Sequence, residues 1–253
     1  MSCLAGLADL RRHLDIQPDD GDDDLRLFAA LQAASLAIET ICARRFVPYL
    51  QTCVQPVSRA ATEITLETDL LQLISIADES GVIPLNAVEM LPALASASVL
   101  RRIDGGAFTG NLTMQGWWGW HDSPDSLWIS ANDTVRSDPL DFDLTVLEVV
   151  SVEGEDARGH APRFQAGYLI RIGDELMTVI KADSDTHLLS LVRGAGGTQP
   201  VTHLRGAQIR IYQPPRAIRD LALRYAAWLL QHPEPPPEIL ITALLPFRRF
   251  HVK

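Results

Sequence analysis

Between Asp23 and about Arg45 the apolar side chains Leu27, Leu31, Ala34, Ile38 and Ile41 return at three- and four-residue steps, which places them on one face of a helix. The aspartates between Asp19 and Asp24 are suited to cap its free amides and to meet the positive end of its dipole. A second amphipathic helix is predicted after Pro214-Pro215, through Ile218, Leu221, Ala222, Tyr225 and Leu229, with proline fitting its first turn. Each apolar face needs a partner, and the other helix is the obvious one. That pairing brings the two ends of the chain together and makes everything between them an insertion.

The insertion reads as short strands and turns. Glu63–Leu66 and Leu71–Ile76 alternate, closed by Glu79-Ser80-Gly81, while 93–99 is alanine- and serine-rich and fits a loop or a short helix equally well. The plainest pattern lies between Gly167 and His203. Strands at 168–172, 175–180 and 187–192, with a Gly173-Asp174 turn, form a β meander that continues into Arg193-Gly194-Ala195-Gly196-Gly197-Thr198. The expected fold class is therefore α+β. A discontinuous helical domain, residues 1–48 plus 214–232, carries an inserted antiparallel β-rich domain over 49–213.

After His232, the run Pro233-Glu234-Pro235-Pro236-Pro237 cannot continue a helix and favours polyproline geometry. The segment beyond it, within 233–253, joins Ile239, Leu240, Ile241, Leu244, Leu245, Phe247 and Phe250 to Arg248, Arg249 and Lys253. The residues alone leave two readings open. One is a last helix or strand on the protein's own body; the other is an extended arm that crosses to a neighbour.

Composition narrows the function classes. With 47% hydrophobic and 21% charged residues, neither a disordered chain nor a membrane protein is indicated, and no apolar run approaches the ~20 residues of a membrane span. A net charge of −10 disfavours nonspecific binding to duplex DNA. Cys3, Cys42 and Cys53 offer no C-x-x-C pair, which fits synthesis in a reducing cytoplasm.

Candidate chemistry is sparse. The aspartate cluster lacks calcium-loop spacing, and the glycine run at 194–197 lacks the phosphate-loop lysine and reads as a flexible hairpin connection. The seven histidines form no helical metal pair, and no G-x-S-x-G turn presents a nucleophile beside His121, Ser123 and Asp125. No catalytic residue, metal or cofactor is expected. Trp117, Trp118 and Trp120 with His121 pack a sheet core or a subunit contact on one reading and form a stacking platform for sugars or bases on another.

The meander pattern G-x-L-I-x-I-G-x-E-x-M-x-V, ending in R-G-x-x-G-T and His203, resembles the β domain of head-tail connector (adaptor) proteins of long-tailed bacteriophages. Thr113–His121 resembles that family's glycine-tryptophan-glycine-aromatic-histidine strand. Leu7–Leu14, with the acidic loop and the helix ending Ala43-Arg44-Arg45-Phe46, resembles its opening helical pair. The resemblance implies a non-enzymatic virion protein of the neck, made in the host cytoplasm. It implies a ring, dodecameric in the family, that binds the portal and itself, extends the DNA channel, and receives a downstream neck or tail protein.

On that resemblance the tail is the extended C-terminal arm, with Ile239, Leu240, Ile241, Leu244, Leu245, Phe247, Arg248, Arg249 and Phe250 docking on the portal. Asp19, Asp20, Asp22, Asp138, Asp141 and Asp143 are candidates to line the channel, where genomic DNA passes without specific binding and no membrane is involved; a solvated outer face is the other reading of those acids. The alternative function is a β-rich carbohydrate-binding or baseplate module using the Trp117–His121 cluster, and a hydrolase would need a pocket of convergent polar groups that the sequence does not disclose.

Overall fold

Both predicted helices form. In this computed structural model, which describes residues 2–17, 23–232, 234 and 236–249, Leu7–His13 is α1 and Asp24–Cys42 is α2. α2 buries Leu27, Leu31, Ala34 and Ile38, and stops where Ala43 takes a left-handed conformation (φ 47°), three residues short of Phe46. Its start differs from expectation. Asp23 at the N-cap makes no side-chain capping bond; Asp23 pairs instead with Arg26, and Asp24 with Arg11. Asp19, Asp20 and Asp22 lie outside the described residues. By length and apolar composition this 19-residue helix would be long enough to cross a membrane, contrary to the sequence expectation, but here its apolar side packs within the protein.

The region expected to be one inserted β domain is two sheets. β1 (Tyr49–Ala61), β2 (Glu63–Asp78), β3 (Gly81–Val82), β4 (Val88–Leu91), β5 (Ala97–Arg102) and β6 (Phe108–Trp118) form an antiparallel sheet in the order β1-β6-β2-β5-β4, with β3 on β2. The two strands predicted at 63–66 and 71–76 are one long β2, which pairs with β5 in its first part and with β6 in its second, across a shift between Thr65 and Leu70. The sheet closes over Leu66, Leu70, Leu100, Phe108, Leu112 and Trp118. Gly116 is needed where β6 crosses β2, because a Cβ there would lie 2.6 Å from the Gln72 carbonyl oxygen.

The second sheet comprises β7 (Trp128–Thr134), β8 (Val146–Glu148), β9 (Leu169–Ile172), β10 (Glu175–Asp183), β11 (Leu188–Val192) and β12 (Gln208–Tyr212), ordered β7-β12-β9-β10-β11-β8. Its inner face buries Ile170, Ile172, Met177, Val179, Leu189 and Ile211. The predicted meander is thus β9-β10-β11, though the glycine run after it is a short turn rather than a hairpin loop.

α3 (Arg216–Gln231) and α4 (Glu238–Leu244) complete the chain. α3 buries Ile218, Ala222, Tyr225 and Ala226, and packs on α2. Residues to Ala43 and Ser126–Arg248 make one compact unit; Arg44–Asp125 with Arg249 make the other. The second sheet therefore groups with the helices, not with the first sheet. Side-chain hydrogen bonds explain part of this. Asp9 of α1 is buried, takes an ion pair from Arg219 of α3 at 2.8 Å, and accepts from the Tyr168 hydroxyl at the start of the meander. Cys3 N and Leu7 N donate to the carbonyls of Gly167 and Ala166.

The tail differs from an extended arm. α4 packs against α2 and α3, Leu244 is buried, and its carbonyl accepts from the Cys42 thiol. An apolar helix on the protein's own body was the other reading of this segment, and burial of Leu244 is the physical reason that it forms here.

Candidate functional site

The residues that carry the meander pattern converge on one carboxylate. Glu175 opens β10 with its side chain fully buried. Arg193, which follows β11, grips it bidentately, Nε to Oε1 at 2.6 Å and Nη2 to Oε2 at 2.8 Å. The backbone amides of Gly194 and Val201 donate to the same group at 3.1 and 3.0 Å. His203 completes the set at 2.9 Å; since the carboxylate only accepts, Nε2 carries the proton. Burial by itself pushes the Glu175 carboxyl up, but the bonds from Arg193, Val201, His203 and Gly194 outweigh it and hold the group below its ordinary value.

Thr198 extends the node. Its hydroxyl accepts from Leu176 N and donates to the Ala195 carbonyl, which fixes the turn through Gly194, whose φ of 62° suits glycine. The chemistry of this site is positional. Arg193 Nη1 donates to the carbonyls of Asp141 and Leu144, both at 2.8 Å, while Leu140 and His203 form a β-bridge. The buried node thereby fixes a surface turn, Asp141–Leu144, with Phe142 exposed at its tip.

The meander pattern contains Glu175, but nothing in the pattern alone assigns it a role. A signal is present: a carboxylate at the head of a strand whose first half, Leu176-Met177-Thr178-Val179-Ile180, is otherwise uncharged, with an arginine and a histidine following it. A buried acid in that setting requires cationic partners.

Of the acids considered for channel lining, Asp138, Asp141 and Asp143 are exposed in or beside this turn. They alternate with exposed Phe142 and Leu144, which a purely repulsive lining does not require.

The tail residues are divided among several environments. Ile239 and Leu245 are exposed, as is Arg248; Leu240, Ile241 and Phe247 are half-buried. Leu244 is buried, and Phe250 lies outside the described residues. Arg249 is engaged by Asp69 and by the Leu66 carbonyl. Asp69 also pairs with Arg44 at 3.0 Å; burial raises its carboxyl, with both arginines pulling the other way.

The tryptophan cluster does not form a platform. Trp117 and Trp118 are buried, and the Trp118 indole donates to the Gln51 carbonyl at 2.9 Å. Trp120 is half-buried, edge-on to Phe46 at 5.7 Å with the Arg44 guanidinium over its ring. His121 is buried, and its Nδ1 accepts from Ser123 N, so the ring orders a turn. A concavity of about 730 Å³ beside α1 and α2 is lined by Leu7, Phe28, Phe164 and Ile180. Its arginines are committed, Arg11 to Asp24 and Arg12 to the Ala161 carbonyl. No group of three or more metal-ligating side chains converges among the described residues.

No protein-family model and no curated protein matches the sequence. Among solved structures, the chain is similar to one from the neck of an empty gene transfer agent particle computed with C6 symmetry, at 20% identity and TM-score 0.35, covering 48% of this chain and 68% of that one. It is similar also to a chain from the virion of a native gene transfer agent particle, at 19% identity and TM-score 0.34, with the same coverage.

Proposed function

We propose that this chain is a structural subunit of a virion neck: a head-to-tail connector that assembles as a ring under the portal and extends the DNA channel. The observation that carries the reading is the Glu175 node. Glu175, Arg193, Thr198 and His203, the residues through which the sequence resembles phage connectors, are shielded from water and directed at backbone groups. Such a node gives a rigid shape and leaves no reactive group facing a substrate.

In this reading α2 and α3 form the wall of the ring, dodecameric as the resemblance implies. The tail's portal contact narrows to the residues its own chain leaves accessible: Ile239, Leu240, Ile241, Leu245, Phe247 and Arg248. Apolar side chains supply burial there and Arg248 supplies orientation. The net charge of −10 favours passage of DNA without adhesion. The protein is made in the host cytoplasm and ends in the neck, where it also meets a downstream neck or tail protein. Burial of Trp117 and Trp118 argues against the carbohydrate-binding alternative.

The test is negative-stain electron microscopy of the chain mixed with its cognate portal, beside the chain alone. Rings added coaxially to the portal are expected. Persistent monomers with no portal association would overturn the reading.

A further inference from the structure

The turn that the buried node holds in place continues into β8, and together they show a run of large apolar side chains to solvent. Phe142 is 63% exposed, Leu144 45%, Val146 43%, Val150 50% and, at the end of the neighbouring β11, Val192 45%. Alternation explains the strand positions. Leu147 and Val149 point into the core, so Val146, Glu148 and Val150 face out, with Ser190 and Leu188 opposite Val146 and Glu148. Single exposed apolar residues are ordinary on a protein surface, but four on one turn and one strand pair, with Val150 just beyond β8, are not.

The exposed charge around them is mostly negative. Ser137–Ala157 holds seven carboxylates and no lysine or arginine, and Asp138, Asp141, Asp143 and Glu148 are exposed among the apolar positions. The cations nearby are Arg193, buried under the turn and paired with Glu175; Arg163, paired with Asp133; exposed Arg136, whose amide donates to the Glu148 carbonyl; and Lys181 opposite Ser190, paired with Asp183 at 3.1 Å.

The outward edge of β8 is occupied, because Glu148 N donates to the Ser137 hydroxyl and Val150 N to Asp133. A partner strand therefore has no free ladder to join, and side chains must make the contact. Arg193 holds the turn at both ends through Asp141 and Leu144, so Phe142 is presented with little ordering left to lose on binding.

We infer that the Asp141–Leu144 turn and the outer face of β8 form a docking surface for a protein segment in which apolar side chains alternate with lysine or arginine. Phe142 is its anchor, and the surrounding carboxylates select a cationic partner and repel nucleic acid. The inference goes beyond the neck reading and does not depend on it, since it concerns binding by the isolated chain.

The test uses a synthetic fluorescent peptide of alternating leucine and lysine, titrated with the full chain at physiological salt and followed by anisotropy. A leucine-glutamate peptide is the counterpart. The leucine-lysine peptide should bind and the other should not. Phe142→Ala, and separately the pair Asp141→Asn with Asp143→Asn, should each weaken binding about tenfold or more. Glu67→Gln with Asp125→Asn, exposed carboxylates of the other unit, should leave it within about twofold. Thermal unfolding of each variant separates lost binding from lost folding. Absence of binding, full affinity in Phe142→Ala, or an equal loss in the Glu67 and Asp125 variant would overturn the inference.

Discussion

Arg193 holds both oxygens of the Glu175 carboxylate while its remaining nitrogen holds the Asp141 and Leu144 carbonyls, so one guanidinium joins the head of β10 to a surface turn. Removing the acid leaves Arg193 buried without its counter-charge. Glu175→Ala should therefore cost about 3–5 kcal/mol of stability, the range for breaking a buried pair on one side, measured as a shift in the denaturant midpoint. A loss below about 1 kcal/mol would mean that water replaces the carboxylate.

The same group sets an acid limit. Its folded value lies below the unfolded one, so the stability it gives is complete above the ordinary glutamate value, about 4.3, and is lost as pH falls through the folded value. Denaturant midpoints should decline below about pH 4.3, and the decline should be shallower in Glu175→Gln. Parallel pH profiles for the two proteins would assign the acid sensitivity elsewhere.

In the tail, buried and exposed apolar positions should separate stability from assembly. Leu244→Ala is expected to cost about 2–4 kcal/mol in unfolding, because its side chain is enclosed with α2 and α3. Ile239→Ala, at 76% exposure, should change stability by less than about 0.5 kcal/mol and weaken portal binding in a pull-down. Portal binding unaffected by Ile239→Ala and Arg248→Ala together would remove the tail from the interface.

Trp118→Ala should cost about 3–5 kcal/mol, since it empties a core position and removes the indole bond to the Gln51 carbonyl. Tryptophan emission that shifts on titration with oligosaccharides would contradict the packing described for this cluster.

Legibility in the sequence varied with the physics involved. α2 and α3 were visible because Leu27, Leu31, Ala34 and Ile38, and Ile218, Ala222 and Tyr225, repeat at helical spacing, and β9 to β11 because glycine and aspartate mark the reversals between alternating runs. The division between the two sheets was not visible. β2 of one sheet and β12 of the other both begin by alternating exposed and buried positions, and which core they join depends on contacts over long sequence separations. The tail was ambiguous because Ile239 to Leu245 has the apolarity of a buried helix and of a docking arm alike. The role of Glu175 is not legible in the sequence because it depends on Arg193 and His203, which lie 18 and 28 residues away. Phe142 gave no periodic signal at all, since it lies in a turn.

The pairing of α2 with α3 has a consequence for the order of events during synthesis. The two helices are contributed by residues 24–42 and 216–231, so the helical layer lacks one of its members until the chain has been translated past Gln231. Closing a contact over so long an interval is slow compared with forming a hairpin. The first sheet, whose strands all lie within 49–118, is free to fold on the ribosome well before that moment. A prematurely terminated chain would carry a finished sheet and an α2 without its α3 partner.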